Sequence, residues 1–167
     1  MARDFEDVSG FALSEDQERV LYAKQTECTF MWTNSAGEPV GVIMNYVAHD
    51  GSFWLTATRQ RARVAAIERD PRVAIAISSR GTDIGVSQSV THKGIATVHD
   101  DQATKGWFYP ALAATVRPDS ESEQQAFVEH LDSPSRVVIE VQPTKRISFD
   151  SEPMLRGSAA GMSRSEL

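Results

Sequence analysis

The sequence has a single cysteine, Cys28, and no apolar run close to the roughly 20 residues that a membrane-spanning helix needs. A lone cysteine excludes an internal disulfide and fits a reducing compartment, so we expect a cytoplasmic protein. The first ten residues also lack the apolar core of a signal peptide. Basic residues are outnumbered, with 17 Lys and Arg against 23 Asp and Glu, a formal net charge of −6. This balance argues against nucleic-acid binding, which needs a basic surface.

A chain of 167 residues is the size of one domain and can bury a core of its own. A capping box, with Ser14 as the cap and Gln17 reaching back, predicts a first helix that ends near residue 25. Extended runs predict six strands, at residues 28–33, 39–47, 52–58, 73–78, 86–98 and 136–149. Helical patterns lie between some of them, at residues 60–69, 100–116 and 123–131.

Most of the predicted strands are joined by short turns, and His49-Asp50-Gly51 is a strong hairpin signal. Consecutive hairpins favour an antiparallel sheet, and closing that sheet into a barrel removes its exposed edges. We therefore predict a mainly β (α+β) fold, a six-stranded antiparallel barrel with flanking helices. It would occupy residues 13–150, between a lead-in at 1–12 and a polar tail at 151–167.

Three local features make the prediction more specific. Gly94 predicts a break in the long strand 86–98. Pro110 predicts a kink in helix 100–116, or its division into two helices. The strand 73–78 is apolar up to its final serine, which predicts burial on both faces.

Five arginines fall within fourteen residues of this acidic chain: Arg59, Arg61, Arg63, Arg69 and Arg72. Three of them lie at the start of the predicted helix 60–69, where the helix dipole is positive and free N–H groups can bind phosphate. Arginine can grip phosphate with two parallel bonds, and the hydroxyls of Thr56 and Thr58 could add donors. The cluster alone fits equally well a solvated helix face, with acids such as Glu68 and Asp70 as partners. No Gly-rich loop with a lysine is present, so a monophosphate ligand fits better than a triphosphate.

The arginine cluster lies within a longer pattern. A turn at Asp50-Gly51 is followed by the strand end Phe53-Trp54-Leu55-Thr56 and then by the basic helix start. Next come Arg63-Val64-Ala65-Ala66-Ile67-Glu68-Arg69-Asp70-Pro71-Arg72-Val73-Ala74 and the later strand Val90-Thr91-His92-Lys93-Gly94-Ile95-Ala96-Thr97-Val98. This pattern resembles the pyridoxamine 5′-phosphate oxidase-like superfamily of split β-barrel flavoproteins, which includes deazaflavin-dependent reductases. The resemblance runs from about Ser14 to Asp150. It implies a homodimer with FMN, or the deazaflavin F420, in the groove between the subunits.

The resemblance also implies site residues. The family's phosphate-binding lysine or arginine falls on Arg63, with Arg61 as its helper. The family's strand-end hydroxyl falls on Thr56, and Ala57 and Thr58 follow it in the implied site.

Three more groups of residues complete the implied site. The backbone along the flavin ring falls on the preceding strand, at Val42, Ile43, Met44 and Asn45. From the partner subunit, Gln88 or Ser89 would reach the ring or the ribityl chain. The longer acidic tail of F420 would need further cations, for which the sequence offers Arg59, Arg69, Arg72 and Lys93.

The chain lacks the Arg-Leu-x-Pro-like ending of true pyridoxamine phosphate oxidases, so vitamin B6 oxidation is not predicted. Its four histidines show no metal-ligand spacing, and we predict no metal site. His92 could hydrogen-bond a flavin, although a structural pairing role is favoured. We predict an FMN-binding oxidoreductase that acts on a small molecule, with no assigned catalytic residue. The alternatives are an F420-dependent reductase, a non-catalytic flavin- or haem-binding module, and a structural dimer whose arginines pair with acids.

Overall fold

Residues 9–157, which the computed structural model describes, form seven strands and five α-helices. A short 3-10 turn at Ser9–Phe11 precedes them. The helices are α1 (Glu15–Lys24), α2 (Ala62–Arg69), α3 (Gln102–Val116), α4 (Glu121–Leu131) and α5 (Ser151–Gly157). The strands are β1 (Glu27–Thr33), β2 (Pro39–Asn45), β3 (Val47–His49), β4 (Ser52–Thr58), β5 (Arg72–Ser78), β6 (Gln88–His99) and β7 (Arg136–Asp150).

The strands form one curled antiparallel sheet in the order β2-β1-β5-β6-β7-β4-β3, which confirms the predicted split-barrel fold. There are seven described strands instead of six because the second predicted strand is interrupted at Tyr46. The Tyr46 side chain is buried, and its N–H donates to the carbonyl of Thr26 at 3.3 Å. At this residue the chain leaves the edge of β1 and joins the edge of β4.

This crossing leaves a split in the barrel. β3 pairs with β4 only at Ser52, Phe53 and Trp54, so residues 55–58 have no strand on that edge. The outer edge of β2 likewise has no partner strand within residues 9–157. Two strand edges with unpaired backbone groups therefore border the split, and those groups need other partners.

The barrel interior holds the main core, with Phe30, Leu55, Ile75 and Ile139 fully buried. In β5 only alternate residues point into this core, so the prediction that both faces are buried was wrong. Ala74 and Ala76 are half-buried on the outer face, whose small apolar side chains made the strand look like a fully buried one. The predicted break in β6 was wrong, because the strand runs without interruption from Gln88 to His99. Gly94 instead marks a shift in the β6–β7 register, in which the extra residue is Thr144 of β7.

A second core lies between the outer face of the sheet and the helices α3 and α4. Phe108, Tyr109 and Leu112 of α3 pack there with Leu131 of α4 and Val138 of β7. The helix continues through Pro110 instead of dividing in two. This packing offsets the hydrogen bond that proline removes.

The first helix begins as the sequence predicts. The Gln17 backbone N–H donates to the Ser14 hydroxyl, and the Ser14 N–H donates to the Gln17 side chain. The start of the predicted tail is the helix α5, whereas residues 158–167 and residues 1–8 of the lead-in lie outside the described residues. Within 9–157, no helix has the length and hydropathy needed to cross a membrane.

Candidate cofactor-binding site

The five clustered arginines divide into two groups, and three of them have partners within the protein. Arg59 donates to Asp100 at 2.6 Å and lies 3.4 Å from Glu68. Arg69 donates to the Thr33 carbonyl at 2.7 Å. A third pair joins the Arg72 guanidinium to the Asp70 carboxylate at 2.7 Å. Pairing with groups of the protein itself therefore accounts for Arg59, Arg69 and Arg72, and these three need no ligand.

Arg61 and Arg63 have no such partners. Neither side chain makes a hydrogen bond or ion pair with any residue in the described range, and the Nε of Arg63 is buried without an acceptor. Burial lowers the pKa of the Arg63 guanidinium, and the neighbouring charge of Arg61 lowers it further. A buried guanidinium N–H without an acceptor is costly, and two adjacent cations repel each other. An anion would relieve both costs, so the two residues fit a phosphate group.

The backbone at the same point adds donors. Arg61 occupies the N-cap position of α2, but its side chain does not cap the helix. Its own N–H donates to the Thr58 carbonyl at 2.9 Å. The N–H groups of Ala62 and Arg63 have no acceptor among residues 9–157. Two free N–H groups and two free guanidiniums therefore meet at one helix start.

The strand before this helix, β4, offers a phosphate fewer free donors than its two threonine hydroxyls suggest. Thr56 already donates its hydroxyl proton to the Val137 carbonyl at 2.8 Å. Thr58 makes no side-chain hydrogen bond with the described part of the chain. The Ala57 side chain points into the core. Its backbone faces β7, as that of Arg59 two residues later does, so Ala57 offers no group to the unpaired edge.

On the other side of the split, β2 presents its backbone edge and alternate side chains. Val42 and Met44 pack against the core, whereas Ile43 is 64% exposed on the outer face. The Asn45 amide donates to the Thr26 carbonyl at 3.2 Å. The four β2 residues therefore offer a ligand mainly backbone groups and the Ile43 side chain.

The two residues implied to reach a partner's cofactor lie on opposite faces of β6. Gln88 is buried, and its backbone N–H donates to the Ser79 hydroxyl at 2.9 Å. Ser89 is exposed on the outer face of the sheet. Of the two, only Ser89 presents its side chain at the surface of the described residues.

The family model described as pyridoxamine 5′-phosphate oxidase matches residues 15–148. The chain belongs to the pyridoxamine 5′-phosphate oxidase family. A search of curated proteins finds no significant match.

Solved structures with low sequence identity share the fold of this family member. The conserved hypothetical protein Rv2991 from Mycobacterium tuberculosis is 18% identical, with a TM-score of 0.77 over 93% of this chain and 96% of that one. An F420 reductase is 20% identical, with a TM-score of 0.60 over 81% and 98%. An FAD-binding protein from Mesorhizobium loti is 12% identical, with a TM-score of 0.60 over 83% and 96%.

His92, considered above as a flavin contact, belongs to a buried polar cluster in this oxidase-family barrel. Its Nε2 lies 2.7 Å from the Tyr22 hydroxyl, which donates to Glu18 at 3.1 Å. Arg146 lies 3.2 Å from the same Glu18 carboxylate. Burial and the charge of Arg146 lower the pKa of His92, which keeps it neutral at pH 7. The cluster ties α1 to the barrel, so His92 has a structural pairing role.

Proposed function

We propose that this protein binds FMN and acts as an oxidoreductase that transfers hydride or electrons to a small molecule. The observation that carries the proposal is the pair Arg61 and Arg63, the two members of the arginine cluster without a partner in the described residues. A phosphate monoester carries between one and two negative charges near pH 7 and several strong acceptor oxygens. It would supply the acceptor that Arg63 lacks and neutralise the charge that Arg61 adds.

The protein would then bind and orient the cofactor, and the cofactor would supply the redox chemistry. The start of α2 holds the phosphate through side chains and free N–H groups. The unpaired edges at residues 42–45 and 56–58 offer backbone donors and acceptors to the rest of the molecule. Flavin chemistry does not require a dedicated acid or base from the protein, and we assign no catalytic residue.

F420 is the second candidate, because an F420 reductase shares this fold. Its longer acidic tail would need cations beyond the α2 start. Arg59, Arg69 and Arg72 already bind other groups of the chain, which leaves them less available for that tail. Lys93 is exposed and free of ion pairs within residues 9–157. Three of the four cations considered for the F420 tail are thus already paired, whereas the arginine pair that would bind a phosphate is free. This difference favours FMN.

We expect the purified protein to bind FMN with a rise in melting temperature and quenching of flavin fluorescence, because binding to the folded state alone stabilises it. A parallel titration with F420 separates the two candidates, and the tighter ligand identifies the cofactor. The absorbance spectrum of the protein as purified, with mass spectrometry of the released ligand, gives an independent identification. A colourless protein whose melting temperature neither cofactor changes would contradict the proposal.

We propose further that the protein is a homodimer, because two large isoleucines, Ile43 and Ile147, are exposed on the outer face of its sheet. Paired residues on adjacent strands project from the same face. One such row crosses five strands and consists of Ile43, Thr29, Ala76, Thr91 and Ile147. The two isoleucines at its ends are 64% and 53% exposed. A second copy of the chain, packed face to face, would cover this row, which we call the isoleucine row.

The dimer makes a testable prediction about mass. Light scattering should give twice the 18.4 kDa of the chain for the wild type, whereas Ile147→Lys should shift the protein toward the monomer because it would bury a charge. Val20→Lys is the matched control, since Val20 is 48% exposed on α1 and should tolerate the charge. A monomeric wild type, or equal masses for the two variants, would exclude this interface.

A further inference from the structure

A cavity of about 580 Å³ lies beside Tyr46, where the chain crosses from β2 to β3. The last turns of α1 and α3 form two of its walls, at Tyr22, Ala23, Ala114 and Thr115. Cavities that bind small organic molecules have volumes of about 300–1,000 Å³, and apolar and aromatic side chains form most of their lining. This cavity has a suitable size and lining, and no residue of the α2 start contributes to it.

Two tyrosine rings in the cavity wall are held in place by the protein. The Tyr22 hydroxyl is bonded to Glu18 at 3.1 Å and to His92 at 2.7 Å. The Tyr46 hydroxyl donates to the Tyr22 carbonyl at 3.5 Å, and both rings pack edge-on against the buried Phe53. A ligand that packs against these rings would lose little affinity to the ordering of side chains, and aromatic faces attract cations.

Both helices end at this cavity, and the last carbonyls of a helix lack a helical N–H partner and carry partial negative charge. The helical partner of the Ala114 carbonyl would be the N–H of residue 118, which is a proline and has none. The carbonyls of Ala23 and Thr115 also accept no hydrogen bond from the residues that the structure describes. Three residues that line the cavity therefore carry free acceptors.

The side chains of the cavity do not cancel this negative character. Among the described residues that line it, Arg19 is the one with a full charge, and its guanidinium pairs with the exposed Asp16 carboxylate. The Thr115 hydroxyl donates to the Ala111 carbonyl at 2.9 Å and is not available to an anion. The net charge of −6 also attracts cations to the protein surface. The cavity thus favours a positively charged ligand over a negatively charged one.

We propose that this cavity binds an organic cation, a protonated amine with an apolar ring. The ring would pack against the two tyrosines. The ammonium group has three N–H donors and no acceptor, so it would match the free carbonyls at the ends of α1 and α3. The cavity begins directly after Asn45, so the cation would lie next to a cofactor bound along β2. That position relative to a cofactor rests on the proposed function, whereas binding of the cation does not.

Three probes with the same ring and different charges test the class of ligand. Near pH 7, 2-naphthylmethylamine is a cation, 2-naphthalenemethanol is neutral and 2-naphthoate is an anion. In calorimetric titrations of the purified protein at low salt, the amine should bind about tenfold more tightly than the alcohol, and the anion should bind most weakly. Equal affinities for the three probes would overturn the inference. Tighter binding of the anion, or no detectable binding of the amine, would overturn it as well.

Substitutions at Ala114, which is exposed in the cavity wall, test the location of the site. Ala114→Lys should weaken binding of 2-naphthylmethylamine about tenfold through charge repulsion, whereas Ala114→Glu should bind it at least as tightly as the wild type does. Ala103→Lys is the matched control, because Ala103 is exposed on the same helix and does not line the cavity. It should change the affinity less than threefold. Thermal unfolding shows whether each variant is folded.

Equal losses of affinity in the two lysine variants would overturn this site, as would equal affinities of Ala114→Lys and Ala114→Glu. An FMN titration of the same wild-type sample separates this inference from the proposed function. Binding of the amine without binding of a flavin would contradict the proposed function alone. Binding of FMN without binding of the amine would contradict the cation site alone.

Discussion

Replacing Arg63 with alanine should weaken FMN binding by about 10- to 100-fold, because charge-assisted hydrogen bonds contribute about 1.5–3 kcal/mol each. The same substitution should not destabilise the protein without ligand. It removes a buried N–H that has no acceptor and separates no ion pair. Fluorescence titration measures the affinity, and thermal unfolding of the apoprotein measures the stability.

The matched controls are Arg69→Ala and Arg72→Ala, which remove the same charge from the same segment. Both arginines are held by other groups of the protein, so each control should change FMN affinity less than threefold. If all three variants lose affinity equally, the effect is one of overall charge. In that case the α2 start is not the phosphate site.

Replacing Gly94 with alanine should cost about 3 kcal/mol of unfolding free energy, at the upper end of overpacking effects. A Cβ at this position would lie 2.6 Å from the Gln142 carbonyl oxygen and 2.8 Å from Cγ1 of Val141. Such contacts force β6 and β7 apart at the point where their register already shifts. Urea unfolding followed by fluorescence measures the loss of unfolding free energy. If the variant is too unstable to purify, a fall in its soluble yield reports the loss.

Gly106 provides a control for the loss of a glycine as such. It lies in α3, is exposed, and an added Cβ would meet no atom within 4 Å. Alanine there should stabilise the protein by up to about 1 kcal/mol, because glycine is a poor helix former. Equal stability changes for the two variants would contradict the close approach seen at Gly94.

Local patterns in the sequence predict most of this fold. The capping box at Ser14 and Gln17 defines the start of α1, and Gly94 marks the register shift between β6 and β7. Hairpin signals account for the β1–β2 and β3–β4 pairs, whereas the β1–β5 and β4–β7 pairs join strands that are distant in the sequence. Tyr46 carries no such signal, because its ring and its backbone bond to Thr26 depend on neighbours that the fold supplies. The crossing at Tyr46, and with it the split, could not be predicted from the sequence.

The sequence also predicts a basic cluster but not the division of its arginines. Arg59 meets Asp100, 41 residues further along the chain, and Arg69 meets the Thr33 carbonyl, 36 residues before it. Only the folded chain shows which cations remain free. The position of Lys145 opposite Lys93 could not be predicted either, since it arises only from the strand register. Strand alternation alone would have separated Gln88 from Ser89.

The central claim is that a phosphate group binds where α2 begins, and comparing FMN with riboflavin tests it most directly. The two ligands share the ring and the ribityl chain, so their difference in affinity measures the phosphate contribution. We expect the wild type to bind FMN about 100-fold more tightly than riboflavin, and the variant with alanine at positions 61 and 63 to lose most of that preference. An equal preference in both proteins, or none in the wild type, would contradict the account.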